Sequence, residues 1–102
     1  MRVYIVVHGI VQGVGYRNFV RGVAMKYDVS GVVRNHDNGS VEILAEADEG
    51  KLTGFEKDIN ISVRYGPQVM SMERHSDERD FPADLPRIRK HGFRIAENKR
   101  AD

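Results

Sequence analysis

Three glycines, at positions 9, 13 and 15, stand just before Arg17 near the start of the chain. Glycine adopts backbone conformations that are closed to other residues, so consecutive N–H groups in such a loop can converge on an anion. The helical pattern that follows adds a helix N-terminus, which favours negative charge, and an arginine beside it can bind two phosphate oxygens at once. The segment therefore suits a phosphoryl group. A plain strand-to-helix turn with a surface arginine is the alternative that the glycine spacing leaves open.

This loop matches neither of the common nucleotide-binding motifs. It lacks the Gly-Lys-Ser/Thr run of the nucleoside-triphosphate loop, and its glycines do not have the G-x-G-x-x-G spacing of dinucleotide-binding proteins. A nucleotide is therefore not the ligand that the sequence indicates.

Asn35 is the second candidate, because it follows an apolar run and precedes a turn signal. Asparagine is depleted in strands and common in turns, where it often bonds its own backbone. Its amide also donates and accepts hydrogen bonds, so it can orient a water molecule without acting as a base. Both interpretations of Asn35 stay open on this residue alone.

The other polar residues give weaker signals. No two of the four histidines have the i, i+4 spacing of a helical zinc motif, and the chain has no cysteine, so we expect no metal site. Asp28, Asp37 and Asp48 stand at the ends of predicted elements, where capping explains them better than catalysis. No serine lies in a nucleophile-elbow sequence.

The hydrophobic pattern predicts the elements that position these residues. Strands are predicted at 2–8, 31–36, 40–47, 68–75 and 92–96, and helices at 17–28 and 50–63. Asn38-Gly39 predicts a type I′ hairpin turn, Gly66-Pro67 is expected to end the second helix, and the polar segment 76–90 is expected to be a loop.

The order of these elements is β-α-β-β-α-β plus a short terminal strand. This is the α+β, ferredoxin-like split βαβ pattern, an antiparallel-dominated sheet with two helices on one face. The first crossover makes the first two strands parallel, so their carboxyl ends lie at the same edge of the sheet. We therefore expect the glycine loop, the start of the first helix and Asn35 to meet at that edge.

Composition narrows the class of protein further. A chain of 102 residues is expected to form a single domain, 1–102, and its charged tail, 97–102, is expected to fray. No apolar run is long enough to span a bilayer, no signal peptide is evident, and a cytoplasmic location is expected. The 16 basic residues nearly balance the 15 acidic ones, which argues against a nucleic-acid partner. A basic cluster near the C-terminal end is best explained as a solvated surface.

Two segments resemble the signatures of the acylphosphatase family. The first signature, a V-Q-G-V core followed by any residue, an aromatic residue and an arginine, resembles residues 9–17, GIVQGVGYR. The second, an N-x-x-x-G-x-V run after a glycine, resembles residues 31–41, GVVRNHDNGSV. The resemblance covers residues 2–75 well and the rest loosely. The chain departs from the family pattern at Val32, where an aromatic residue is usual, at Ala47, where a glycine is usual, and at His36.

The resemblance implies hydrolysis of acyl phosphates to a carboxylate and inorganic phosphate. It implies that Arg17 binds the phosphoryl group and that Asn35 holds the attacking water. The phosphate-binding groups would be the backbone N–H groups of Val11, Gln12, Gly13, Val14, Gly15 and Tyr16. No cofactor and no metal are implied, and we expect a monomer without membrane or nucleic-acid partners. Two alternatives stay open, a ferredoxin-like module that binds phosphate, an effector or RNA without catalysis, and a relative specific for carbamoyl phosphate.

Overall fold

The computed structural model describes residues 1–89 and 91–100. Its elements, in chain order, are β1 (Arg2–Ile10), α1 (Tyr16–Tyr27), β2 (Ser30–Asn35), β3 (Val41–Glu46), α2 (Glu49–Ile59), β4 (Gln68–His75), a short 3-10 helix (Glu78–Asp80) and β5 (Phe93–Ile95). The predicted order β-α-β-β-α-β with a terminal strand is confirmed. Lys90 of the predicted loop and residues 101–102 of the predicted tail lie outside the described residues.

The five strands form one sheet in the order β4-β1-β3-β2-β5. β1 and β2 both pair antiparallel with β3, so they run parallel to each other on either side of it. Only the pairing of β2 with the short β5 is parallel among the described strand pairs. The carboxyl ends of β1 and β2 therefore lie at one edge of the sheet, as the sequence predicted.

The main core fills the space between the sheet and the two helices. Alternate residues of each strand share a face, so Val3, Ile5 and Val7 of β1 all point to this side. Leu52 and Phe55 bring the apolar side of α2 against them, and both are fully buried. No helix in the described part of the chain combines the length and the apolar character needed to cross a membrane.

The second face of the sheet is covered by residues 81–88, which we call the strap. Phe81, Leu85 and Ile88 of the strap pack on a small cluster formed by Tyr4, Val32 and Leu44. The segment was predicted only as a polar loop, so its covering role is a finding of the structure. With the helices on one face and the strap on the other, every residue of β2 after Ser30 is buried.

The predicted extent of α2 is wrong at its C-terminal end. The helix ends at Ile59, and Gly66-Pro67 lies well beyond it. The Val63 N–H donates to Pro67 O (2.8 Å) and the Val69 N–H donates to Ile61 O (2.8 Å), so the chain turns back on itself. Val63 continues the apolar spacing of the helix, because it follows Ile59 by four residues, yet it belongs to this turn.

The hairpin between β2 and β3 also differs from the prediction. A type I′ turn requires positive φ at both central residues, but only Gly39, at +94°, has it, and Asn38 does not. The connection spans 36–40 and closes with the His36 N–H donating to Ser40 O (2.9 Å). The Asn38 carboxamide oxygen accepts from the Ser40 N–H (2.9 Å) and the Ser40 hydroxyl (2.6 Å), which holds the turn in place.

Part of the tail that was predicted to fray is hydrogen-bonded to β2 and to the residues just beyond it. The Ala96 N–H donates to Val33 O (2.9 Å), the Lys99 N–H to Asn35 O (2.7 Å) and the Asp37 N–H to Lys99 O (2.9 Å). Residues 96–99, which we call the terminal segment, thus continue the parallel course of β5 as far as the hairpin.

Candidate active site

The glycine loop, residues 11–15, links the end of β1 to the start of α1. Gly13 and Gly15 have φ angles of +73° and +77°, which other residues adopt only at a cost. Gly15 is the N-cap residue of α1, no side chain among the described residues caps this helix, and its first turn holds no acidic residue. The N-terminus of α1 is therefore a favourable place for an anion.

A cavity of about 110 Å³ lies against this loop. It is lined by Val11, Gly13, Gly15, Tyr16, Arg17, Asn18 and Ile95. Five of these seven residues were predicted to form the site. Gln12 and Val14 of the same prediction, and Asn35, do not line this cavity. Asn18 and Ile95 were not foreseen.

Apolar and hydrogen-bonded anchors hold both ends of the glycine loop. Val11 and Tyr16 are almost fully buried, and the Tyr16 hydroxyl donates to Ile59 O at the end of α2 (2.8 Å). Burial raises the pKa of the Tyr16 phenol, so it stays a neutral donor. On the β1 side, Gly9 lies at a shift in the register with β4, where an added Cβ atom would stand 2.1 Å from Gln68 O.

The Gln12 side chain ties the glycine loop to the hairpin. Its Nε2 donates to His36 O (2.7 Å) and to Ser40 O (2.8 Å), the two residues that close the hairpin. Sequence reasoning assigned Gln12 a backbone N–H role only, and nothing local in the sequence indicates this cross-link. Because His36 follows Asn35 directly, Gln12 fixes the distance between the glycine loop and the end of β2.

Arg17 lies in the first turn of α1 beside the cavity. Its Nη1 donates to the Asn98 side-chain oxygen (3.3 Å), and Arg17 forms no ion pair with any residue in 1–89 or 91–100. Its positive charge is therefore not neutralised by a described carboxylate, and it adds to the field of the helix N-terminus. Asn98, in the terminal segment, was missed because nothing in its sequence context links it to Arg17.

Asn35 ends β2 and is buried, with 8% of its surface exposed. Its side chain shares the helix-bearing face of the sheet with Val33, because strand side chains alternate. The main chain is held on both sides, by pairing with Val41 and by the Lys99 N–H. Its Oδ1 atom is buried, and no donor among the described residues reaches it.

Arg17 and Asn35 are connected through the terminal segment. Asn98 accepts from Arg17, and the next residue, Lys99, donates its N–H to Asn35 O. Both predicted residues thus stand at the same edge of the sheet, within one connected set of hydrogen bonds. No group of three His, Asp or Glu side chains that could hold a metal ion occurs in the described ranges.

The sheet order and the two helices on one face define a ferredoxin-like α+β domain, with an uncapped glycine loop before α1. Comparison with known families identifies it further. A family model described as Acylphosphatase matches residues 3–95, and the chain belongs to this family.

Individual relatives agree with this assignment. An acylphosphatase of Geobacillus thermodenitrificans is 36% identical over 88 residues, covering 86% of this chain and 90% of the relative. An acylphosphatase of Listeria welshimeri is 59% identical over 49 residues, or 48% of this chain, so the match spans about half (53%) of that relative's length. The crystal structure of an acylphosphatase from Bacillus subtilis is 33% identical, with a TM-score of 0.74, covering 93% of this chain and 97% of that one.

Proposed function

We propose that this protein hydrolyses the carboxyl-phosphate bond of acyl phosphates, giving a carboxylate and inorganic phosphate. The observation that carries the proposal is that two unlike groups lie at the same edge of the sheet. One is the Arg17 charge beside an uncapped helix N-terminus, and the other is the buried Asn35 oxygen, which lacks a donor among the described residues. Membership of the acylphosphatase family and the relatives of that name support the same activity.

In the proposed mechanism, the glycine loop and Arg17 bind the phosphoryl group. Backbone N–H groups from Val11 to Tyr16 donate to its oxygens, and the Arg17 guanidinium binds two of them. Phosphoryl transfer depends mainly on positioning and on stabilising the charge of the transition state. A fixed positive field at the start of α1 supplies that stabilisation without reorganising during the reaction.

Asn35 would hold the attacking water. Its carboxamide forms a hydrogen bond with the water, so that the water's lone pair faces the phosphorus in line with the leaving oxygen. A new P–O bond forms, the bond from phosphorus to the acyl oxygen breaks, and its electron pair leaves with the carboxylate. The proton lost by the water passes to a phosphate oxygen. A carboxylate is a good leaving group, so the mechanism requires neither a general acid nor a protein base.

Hydrolysis of benzoyl phosphate, followed by ultraviolet absorbance with EDTA present, tests the proposal. We expect turnover by the wild-type protein and almost none by Arg17→Ala. Arg21→Ala is the matched control, since Arg21 lies one turn further along α1 and is exposed. A folded wild-type protein without turnover would refute the activity. Equal losses in the two variants would refute the specific role of Arg17.

A second part of the proposal concerns which acyl group the substrate carries. Parallel assays with acetyl phosphate and carbamoyl phosphate distinguish a general acyl phosphate hydrolase from a carbamoyl-phosphate-specific one. We propose the general activity, and a preference for carbamoyl phosphate of 100-fold or more in kcat/KM would replace it.

A further inference from the structure

The face of the sheet opposite the helices holds an ion cluster that the proposed mechanism does not use. Arg34 and Glu42 are both buried, and the Arg34 Nε lies 2.9 Å from a Glu42 carboxylate oxygen. The Tyr4 hydroxyl donates to the other Glu42 oxygen. The cluster borders a cavity of about 320 Å³ whose far side is formed by Pro82 and Asp84 of the strap.

Asp84 joins this cluster to the terminal segment. One carboxylate oxygen lies 3.4 Å from Arg34 Nη2, and the other lies 2.6 Å from Lys99 Nζ. The Asp84 carbonyl oxygen also accepts from Arg34 Nη1 (3.2 Å). A single strap residue therefore binds one cation on β2 and one on the terminal segment.

Both cations stand next to Asn35. Arg34 precedes Asn35 in β2 and points to the opposite face of the sheet, as strand alternation requires. Lys99 donates its main-chain N–H to Asn35 O (2.7 Å). The main chain at Asn35 is thus held between two residues whose side chains Asp84 connects.

We propose that Asp84 is a positioning residue for the reaction, acting from the far side of the sheet. By joining Arg34 to Lys99 it holds β2 against the terminal segment, and so it fixes the Asn35 amide where the attacking water must sit. This inference rests on the proposed function, because it concerns the role that function gives to Asn35.

A purely structural role for Asp84 would have a different signature. Its side chain is 45% exposed, and exposed ion pairs contribute little to overall stability. Catalysis is far more sensitive to position, because a displacement of about 1 Å can lower a rate by about 100-fold. Loss of Asp84 should therefore affect kcat much more than it affects unfolding.

The first test compares Asp84→Asn with Asp80→Asn. Asp80 is exposed and forms no ion pair within the described part of the chain, so it controls for loss of a nearby negative charge. We expect Asp84→Asn to lower kcat for benzoyl phosphate by about 10-fold. Inhibition by inorganic phosphate should change by less than about twofold, because the glycine loop and Arg17 are untouched. Asp84→Glu should recover much of the lost kcat.

A double variant tests the route through Lys99. Lys99→Met keeps the main-chain N–H and most of the side-chain length, but removes the charge that Asp84 binds. We expect Asp84→Asn combined with Lys99→Met to lose little more than the worse single variant, because coupled residues are not additive. If the losses of kcat in the two single variants multiply in the double variant, the two residues act independently and the proposal is overturned. An unchanged kcat in a folded Asp84→Asn protein would overturn it as well.

Amide hydrogen exchange tests, without reference to turnover, whether Asp84 holds β2 against the terminal segment. In Asp84→Asn we expect faster exchange of the Lys99 and Asp37 N–H groups, which bond across the terminal segment, while Ile43 in the centre of the sheet is unchanged. If the wild-type protein proves inactive, the proposed function fails, and with it the catalytic role of Asp84. Unchanged exchange at Lys99 in an active protein would overturn the positioning role of Asp84 and leave the proposed function standing.

Discussion

Replacing Asn35 by alanine should separate activity from stability. A buried acceptor without a hydrogen bond costs about 1–3 kcal/mol, and Asn35 Oδ1 is buried without a donor among the described residues. Truncation to alanine removes this cost, but it also loses a comparable free energy of side-chain packing. We therefore expect the free energy of unfolding of Asn35→Ala to stay within about 1 kcal/mol of the wild-type value. Turnover should fall by at least about 10², the usual cost of removing one fixed polar group from a reacting site.

Asn38 supplies a matched control in the same hairpin. Its side-chain oxygen accepts from the Ser40 N–H and the Ser40 hydroxyl, so it makes the hydrogen bonds that Asn35 Oδ1 lacks. Asn38→Ala should lower the free energy of unfolding by about 1–2 kcal/mol, because two local bonds disappear. Its turnover should stay within a few-fold of the wild-type value. The two asparagines thus differ in which property their removal affects.

Both properties are measurable on the same preparations. Urea unfolding followed by circular dichroism gives the stability, and benzoyl phosphate hydrolysis gives kcat. Phosphate inhibition should be nearly unchanged in Asn35→Ala, which separates binding of the phosphoryl group from positioning of the water. A loss of more than about 2 kcal/mol together with retained turnover would show that Asn35 is a structural turn residue, and the reasoning would be refuted.

Three further perturbations follow from the site. Arg17→Ala should lower kcat/KM for benzoyl phosphate by at least about 10³, the scale of arginine contributions to phosphoryl transfer, while steady-state kinetics of Arg21→Ala stay near wild type. Gly15→Ala should cost about 1 kcal/mol, because φ is +77° although no atom blocks the new Cβ. Gly22 lies in the middle of α1, and a Cβ added there also meets no atom, so Gly22→Ala should raise the free energy of unfolding by about 1 kcal/mol. Equal changes in the free energy of unfolding for the two glycine variants, measured with urea, would contradict the argument that Gly15 needs a positive φ. The hydrogen bond from Lys99 lowers the pKa of the Asp84 carboxyl from its ordinary value of 3.8. The stability that Asp84 adds is therefore fully present above that ordinary pKa, and it is lost as the pH falls through the lowered pKa. The stability difference between wild type and Asp84→Asn should therefore shrink between about pH 5 and pH 2, and a constant difference would count against the ion pair.

Much of the architecture could be predicted because its signals are local. Strand alternation and helical spacing gave the element order, and the parallel relation of β1 and β2 placed Arg17 and Asn35 at one edge. The errors arose where apolar spacing continued past a change of structure. Val63 extends the helical pattern of α2, but its backbone bond to Pro67 outweighs the pattern.

Other features could not be predicted because they depend on distant contacts. The Asn-Gly rule covers two residues, whereas the hairpin is closed over five and bonded from outside by Gln12. Asn98 and Asp84 carry no motif, and their partners become visible only when the terminal segment and the strap are placed against β2. Polar residues in such segments look like solvated surface until tertiary contacts are known.

The parallel pairing of β2 with β5 also bears on how the molecule folds. It joins Gly31 to Phe93, so a long stretch of chain must be closed before this contact forms. The entropy of closing a loop rises with its length, and folding rates fall as contacting residues become more distant in sequence. Ile95 of β5 is a wall of the cavity beside Arg17. The cavity beside Arg17 therefore gains one wall from a strand pairing that closes a long stretch of chain, so it is complete only after a slowly formed contact is in place.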